Sequence, residues 1–76
     1  MEKHILWDIL QEVDRAQCKH PYWPDDVIHS VAIVAEESGE AVRAALNHAY
    51  HGGLKKDIKT ELIQTAATCI RALNNL

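Results

Sequence analysis

The chain has 76 residues, enough for one domain spanning 1–76, and a chain this short buries only about 60% of the surface that its unfolded form exposes. Its own hydrophobic core is therefore thin, and we expect a partner chain to help cover it. The 11 acidic and 8 basic residues give a formal net charge of −3, which excludes a broad cationic surface for a nucleic-acid polymer or an anionic membrane.

The first predicted element is an amphipathic helix over residues 3 to 19. Its apolar face is formed by Ile5, Leu6, Ile9, Leu10, Val13 and Ala16. Its polar face is formed by Asp8, Glu12, Arg15 and Lys19. Charged residues precede any apolar run at the N-terminus, so we expect no signal peptide, no membrane span and a cytoplasmic location. The two cysteines, Cys18 and Cys69, are too few for a disulfide framework, and we expect both to be reduced.

A second helix is predicted over residues 26 to 50. Pro21 and Pro24 end the first helix, because proline lacks an N–H and disfavours helical geometry in the residue before it. Asp25 or Asp26 is then the N-cap, and the glycines at 52–53 supply the left-handed residue that ends the helix.

This second helix carries apolar residues on two sides. One stripe contains Val27, Val31, Val34, Ala35, Ser38, Val42, Ala45 and Ala49. A separate flank holds Ile33, Ala41 and Ala44 together with Glu37 and Glu40. A helix with two apolar sides is expected at the centre of an assembly.

The third predicted helix, residues 55 to 74, also has two apolar zones. The first contains Ile58, Leu62, Cys69, Leu73 and Leu76, and the second contains Ile63, Ala66, Ala67 and Ile70. Three helices cannot cover all of these surfaces by themselves. We therefore predict an all-α, three-helix protomer that forms a four-helix-bundle core with a second copy, as a homodimer or homotetramer.

Two pairs of polar side chains on helices two and three point to a metal site. Glu37 and Glu40 are three residues apart, as are Glu61 and Gln64, so each pair can converge on one point. Glu37 and Glu40 lie in an apolar row, where like charges are costly unless a cation joins them. Carboxylate oxygens on rigid helices suit Mg²⁺, whose coordination is completed by water and substrate phosphates. Glu36 fits a solvated face better.

The run from Glu36 to Ala44 (EESGEAVRA), followed by ELIQTAA at 61–67, resembles the MazG-like branch of the all-α nucleoside-triphosphate pyrophosphatases. That superfamily is marked by Glu-x-x-Glu, a spacer, and Glu-x-x-Asp. The resemblance implies an Mg²⁺-dependent hydrolase that converts a nucleoside triphosphate to a monophosphate and pyrophosphate. It implies metal ligation by Glu37, Glu40, Glu61 and Gln64, of which Gln64 departs from the family's Asp.

The same resemblance suggests catalytic roles for Glu36, Glu37, Glu40 and Glu61, with either Glu36 or the metal preparing the attacking water. Three lysines at the start of helix three (Lys55, Lys56 and Lys59) are candidates to hold the outer phosphates, or they simply solvate that helix end. Trp23 is a candidate to stack on the base, or it pins the loop onto the bundle. Its neighbour Tyr22 has the same two interpretations.

A non-catalytic helical oligomerisation or interaction module is the alternative hypothesis. In that case the acidic residues would serve only in pairing between chains. The absence of Mg²⁺ binding by calorimetry, and of thermal stabilisation by nucleotide with metal, would favour this module over the enzyme.

Overall fold

The computed structural model describes residues 3–76, and three α-helices contain most of them. The helices are α1 (Lys3–Lys19), α2 (Val27–His51) and α3 (Lys55–Asn74), and no strand occurs in this part of the chain. The predicted all-α class is confirmed, and the predicted helix bounds agree to within one residue. None of these three helices combines the length and apolarity needed to cross a lipid bilayer.

The ends of α2 follow the signals in the sequence. The Asp26 side chain accepts a hydrogen bond of 2.8 Å from the backbone N–H of His29, which makes it the N-cap. Gly52 has a φ of 74°, and its N–H donates to the Asn47 carbonyl oxygen. Only residues 52–54 separate α2 from α3, so the two helices form a tight helical hairpin.

Helix α3 is the middle layer of the protomer. It packs against both α1 and α2, whereas α1 and α2 do not pack against each other. Ala41 and Ala67 are the buried apolar residues of 3–76, and their small size lets the helices approach closely. No large side chain in these residues is fully buried, which confirms that the core of a single chain is thin.

The two apolar sides of α2 have different surroundings. The flank with Ile33, Ala41 and Ala44 is buried or half-buried, because it faces α3. The opposite side remains exposed, with Val31 63% and Val42 60% accessible. We call this side the outer seam. It contains Ile28, Val31, Ala35, Ser38, Val42, Ala45 and Ala49, which alternate at spacings of three and four residues.

Helix α1 is rotated relative to the prediction from its apolar face. Leu6 and Leu10 are exposed, although they were predicted to be on the packed face. Asp8 and Glu12 are half-buried, although they were predicted to be solvated. The prediction is wrong for these four residues, because α1 packs on a single neighbour and the buried sector of its surface is narrow.

Candidate functional site

The motif residues of α2 and α3 meet along the face on which these two helices pack. The pKa of Glu37 is raised above its ordinary value, first by burial and then by the negative charges of Glu61 and Glu40. Weaker contributions come from Glu12 and Glu36. The fold thus concentrates acidic groups from two helices, as the sequence predicted, and adds one from α1.

Two clefts border this acidic cluster. The tryptophan cleft has a volume of about 290 Å³, and its walls include Glu12, Arg15, Trp23, Glu37, Gln64 and Arg71. The hairpin cleft, near the α2–α3 turn, has a volume of about 200 Å³, and its walls include Glu40, Arg43, Asn47, Asp57 and Glu61. Glu37 lies at the junction, because it lines the first cleft and its pKa responds to two residues of the second.

Glu61 has an unsatisfied buried atom at this junction. Its Oε2 is shielded from solvent and has no hydrogen-bond partner. A carboxylate oxygen without a donor or a cation loses hydration without compensation. In their present rotamers, no three acidic, histidine or cysteine side chains of residues 3–76 converge closely enough to hold a metal ion. Glutamate side chains would have to rotate before the cluster could close on an ion.

Comparisons of the chain with protein-family models, with curated proteins and with solved structures found no match. The resemblance therefore depends on the motif itself. The structure adds that Glu37, Glu40, Glu61 and Gln64 come from two helices packed against each other, and that they line two adjoining clefts.

Of the other predicted site residues, Trp23 and its neighbour Tyr22 line the tryptophan cleft, and the rest lie outside both clefts. Lys55 and Lys59 line an apolar groove between α1 and α3, together with isoleucines such as Ile58. Lys56 is exposed and lines neither cleft. Glu36 is also exposed, and of the carboxylates that raise the pKa of Glu37 it has the weakest effect. Arginines, not lysines, therefore supply the long cationic side chains of the two clefts.

Trp23 both pins the inter-helix loop and forms a wall of the tryptophan cleft. Its indole N–H donates a 2.8 Å hydrogen bond to the hydroxyl of Ser30, a buried residue of α2. The guanidinium carbon of Arg71 lies 5.0 Å from the centre of its ring, a distance typical of a cation–π contact. The neighbouring Tyr22 is 92% exposed. Of these two aromatic residues, Trp23 is the one held in a fixed orientation.

Sequence analysis missed Glu12 and Arg15 as residues of the site. Arg15 Nε donates to Glu12 Oε1 at 2.8 Å, and a second hydrogen bond joins the other guanidinium nitrogen to Oε2. This bidentate pair lowers the pKa of Glu12 and raises that of Arg15. The sequence offered one indication that Glu12 is partly buried, because Glu12 lies one turn before Ala16, at the edge of the apolar face of α1.

We expect Glu37→Gln to stabilise the metal-free protein at neutral pH. The folded chain holds the Glu37 proton more tightly than the unfolded chain does, because its pKa is raised. Its contribution to stability is therefore present below the ordinary glutamate pKa and is lost as pH rises through the raised value. Glutamine removes the charge, and we expect a gain of about 0.5 kcal/mol, or about 2–4 °C in Tm at pH 7.5 in EDTA.

Asp14→Asn is the matched control, since Asp14 is an exposed carboxylate of α1 and the charge change is the same. We expect this control to leave Tm nearly unchanged. The pH dependence has the opposite sign at Glu12, because its pKa is lowered in the folded chain. Glu12 therefore stabilises the fold above the ordinary glutamate pKa, and this stabilisation is lost as pH falls through the lowered pKa. A lower Tm for Glu37→Gln at pH 7.5 would show that Glu37 is not electrostatically strained.

Proposed function

We propose that this chain is an Mg²⁺-dependent nucleoside-triphosphate pyrophosphohydrolase that releases a nucleoside monophosphate and pyrophosphate. The observation that carries the proposal is the unpartnered, buried Oε2 of Glu61 beside Glu37, whose pKa is raised by burial and by the charges of Glu61 and Glu40. Helical packing forces these carboxylates together at an energetic cost, and a cation would remove that cost.

The donor set at this site fits Mg²⁺. Glu37, Glu40 and Glu61 offer hard carboxylate oxygens, and Gln64 offers an amide oxygen on the same face of α3 as Glu61. No histidine or cysteine belongs to the set, which argues against a softer metal. When bound, Mg²⁺ would neutralise and orient the phosphates, the chemistry that it supplies in other phosphoryl-transfer sites.

The two clefts give this chain's own residues a division of roles. Arg43 lines the hairpin cleft and offers a cation at the edge of the acidic cluster. It is suited to hold phosphate oxygens in the bidentate manner of guanidinium groups. Arg15 lines the tryptophan cleft, where its guanidinium already binds Glu12. Trp23 is suited to cover one face of the base. The exposed Glu36 lies next to Glu37 and is a candidate to orient the attacking water.

We also propose that the functional unit is a homo-oligomer with a four-helix-bundle core. Support comes from the thin core of one chain and from the outer seam of α2, whose apolar and small residues alternate with the spacing of a helix–helix contact. Two copies of α2 and α3 would cover this seam, as a homodimer or as half of a homotetramer. We expect the protein to act in the cytoplasm.

A panel of ribo- and deoxyribonucleoside triphosphates, assayed for pyrophosphate release with Mg²⁺ and with EDTA, tests the proposed activity directly. We expect metal-dependent release of pyrophosphate, with the matching monophosphate as the other product. Release of single orthophosphate would indicate a different phosphatase chemistry. The absence of both turnover and Mg²⁺ binding across the panel would instead favour a helical interaction module.

We expect Gln64→Asp to preserve or raise the affinity for Mg²⁺. An aspartate would add a fourth carboxylate to the site, on the same face of α3 as Glu61. The added charge would increase the attraction for the cation. Isothermal titration with Mg²⁺ measures the change, with Gln11→Glu, an exposed position on α1, as a control of equal charge. A clear loss of affinity in Gln64→Asp would show that Gln64 has a role other than metal ligation.

A further inference from the structure

Arg71 is the most unusual buried group of the described chain. Only 8% of its surface is accessible, and no carboxylate of residues 3–76 lies within ion-pairing distance of it. One guanidinium nitrogen donates to the backbone carbonyl of His20, and its Nε–H has no hydrogen-bond acceptor. A buried cation without a counter-charge or a full set of acceptors is strongly destabilising.

Loop anchoring uses only part of the donor capacity of Arg71. Its hydrogen bond to the His20 carbonyl and its contact with the Trp23 ring hold the loop. The Nε–H takes no part in this anchoring, and no carboxylate of residues 3–76 balances the charge. The Nε–H is shielded from solvent, and Arg71 also lines the tryptophan cleft. A ligand in that cleft could supply the missing acceptor once the guanidinium turns toward it.

The position of Arg71 along α3 determines which part of a nucleotide would reach it. Arg71 is seven residues beyond Gln64, two turns along the same side of the helix, which is about 10 Å. Phosphates held at the carboxylate cluster would therefore leave the base, not the phosphates, beside Arg71. The cleft volume of about 290 Å³ is at the lower limit for small-molecule sites, which suits a single nucleoside.

We propose that Arg71 is a specificity-determining residue that selects nucleotides whose base has a carbonyl oxygen at C4 of a pyrimidine or C6 of a purine. This inference rests on the proposed nucleotide hydrolysis and names its substrate class. A guanidinium has only donors, so it pairs with the O4 of uracil or thymine or with the O6 and N7 of guanine or hypoxanthine. An exocyclic amino group at the same place, as in cytosine or adenine, would leave the donor unpaired and is disfavoured.

Binding of nucleoside monophosphates in the presence of Mg²⁺ tests this selection without any need for hydrolysis, because monophosphates are products of the proposed reaction. The chain has two tryptophans, so Trp7→Phe leaves Trp23, the wall of the cleft, as the only indole reporter. We expect UMP to quench its fluorescence with a Kd about tenfold lower than that of CMP, and IMP to bind about tenfold more tightly than AMP. Equal affinities within both pairs would overturn the proposal.

Arg71→Met in the same Trp7→Phe background removes the donors and retains a long apolar side chain. We expect the UMP/CMP and IMP/AMP affinity ratios to fall to near one. Arg71→Lys, which keeps a donor, is expected to restore part of the preference. A uniform weakening of all four nucleotides with unchanged ratios would show that Arg71 only anchors the loop. If Arg71→Met does not fold, the ratios in Arg71→Lys and in the Trp7→Phe parent decide the question.

These binding data separate the inference from the function on which it rests. Carbonyl-selective binding without any pyrophosphate release would reject the proposed hydrolysis and leave the recognition role of Arg71 intact. Pyrophosphate release with equal kcat/KM for UTP and CTP, and for ITP and ATP, would reject the role of Arg71 and leave the hydrolysis intact.

Discussion

Glu37→Gln and Glu61→Gln are each expected to lower pyrophosphate release from nucleoside triphosphates at least about 100-fold, the scale of effect found when a charge-stabilising group is removed from an active site. Each substitution is nearly isosteric and removes one of three carboxylates from the α2–α3 face. The cluster then has less negative charge to hold Mg²⁺ with the substrate. Release of pyrophosphate at saturating Mg²⁺, together with far-UV circular dichroism, measures the effect.

Asp14→Asn serves as the control for activity as well as for stability, because it changes the same charge on an exposed part of α1. We expect it to retain the parental rate. Glu37→Gln has a combined signature: the metal-free protein gains stability while the enzyme loses activity. Substitution of a residue that only supports the fold would lower both the stability and the activity. Unchanged turnover in both Glu37→Gln and Glu61→Gln would reject the assigned site.

Val42→Glu is expected to dissociate the oligomer. Val42 lies in the middle of the outer seam and is 60% exposed in the protomer. In a two-fold assembly each substitution places two like charges in one apolar contact, where neither is hydrated. Light scattering coupled to size exclusion should show the molar mass falling to that of one 8.6 kDa chain at micromolar concentration.

Gln11→Glu adds the same charge at an exposed position of α1 and is expected to leave the molar mass unchanged. The unmodified protein offers a second measurement, because the Tm of an oligomer rises with protein concentration. If Val42→Glu unfolds as well as dissociates, that concentration dependence still reports on assembly. A monomeric parental protein whose Tm is independent of concentration would contradict the proposed bundle.

The helix ends were predictable because local chemistry determines them. Pro21 and Pro24 stop α1, Asp26 caps α2, and Gly52 adopts the left-handed conformation that ends it. Each signal acts over a few residues of chain and needs no tertiary information. The same holds for the pairing of Glu37 with Glu40, since both lie on one helix three residues apart.

The choice between two apolar sides of α2 was not predictable in the same way. Val31 and Val42 are more hydrophobic than Ala41, yet Ala41 is buried in the protomer and the valines are exposed. Close approach of α2 to α3 favours the small residues Ala41 and Ala67, and hydrophobicity alone does not reveal this. The contact of Arg71 with the His20 carbonyl joins residues 51 positions apart, so no local pattern could indicate it.

Helix α1 docks on α3 alone, yet it brings Glu12 and Arg15 to the wall of the tryptophan cleft. A compound that touches those two side chains as well as α2 therefore adds its binding free energy to the docking of α1. The converse follows by thermodynamic linkage: anything that loosens α1 weakens the hold on that compound by the same amount. In this small chain, the affinity for such a compound and the free energy that holds α1 on α3 are therefore coupled.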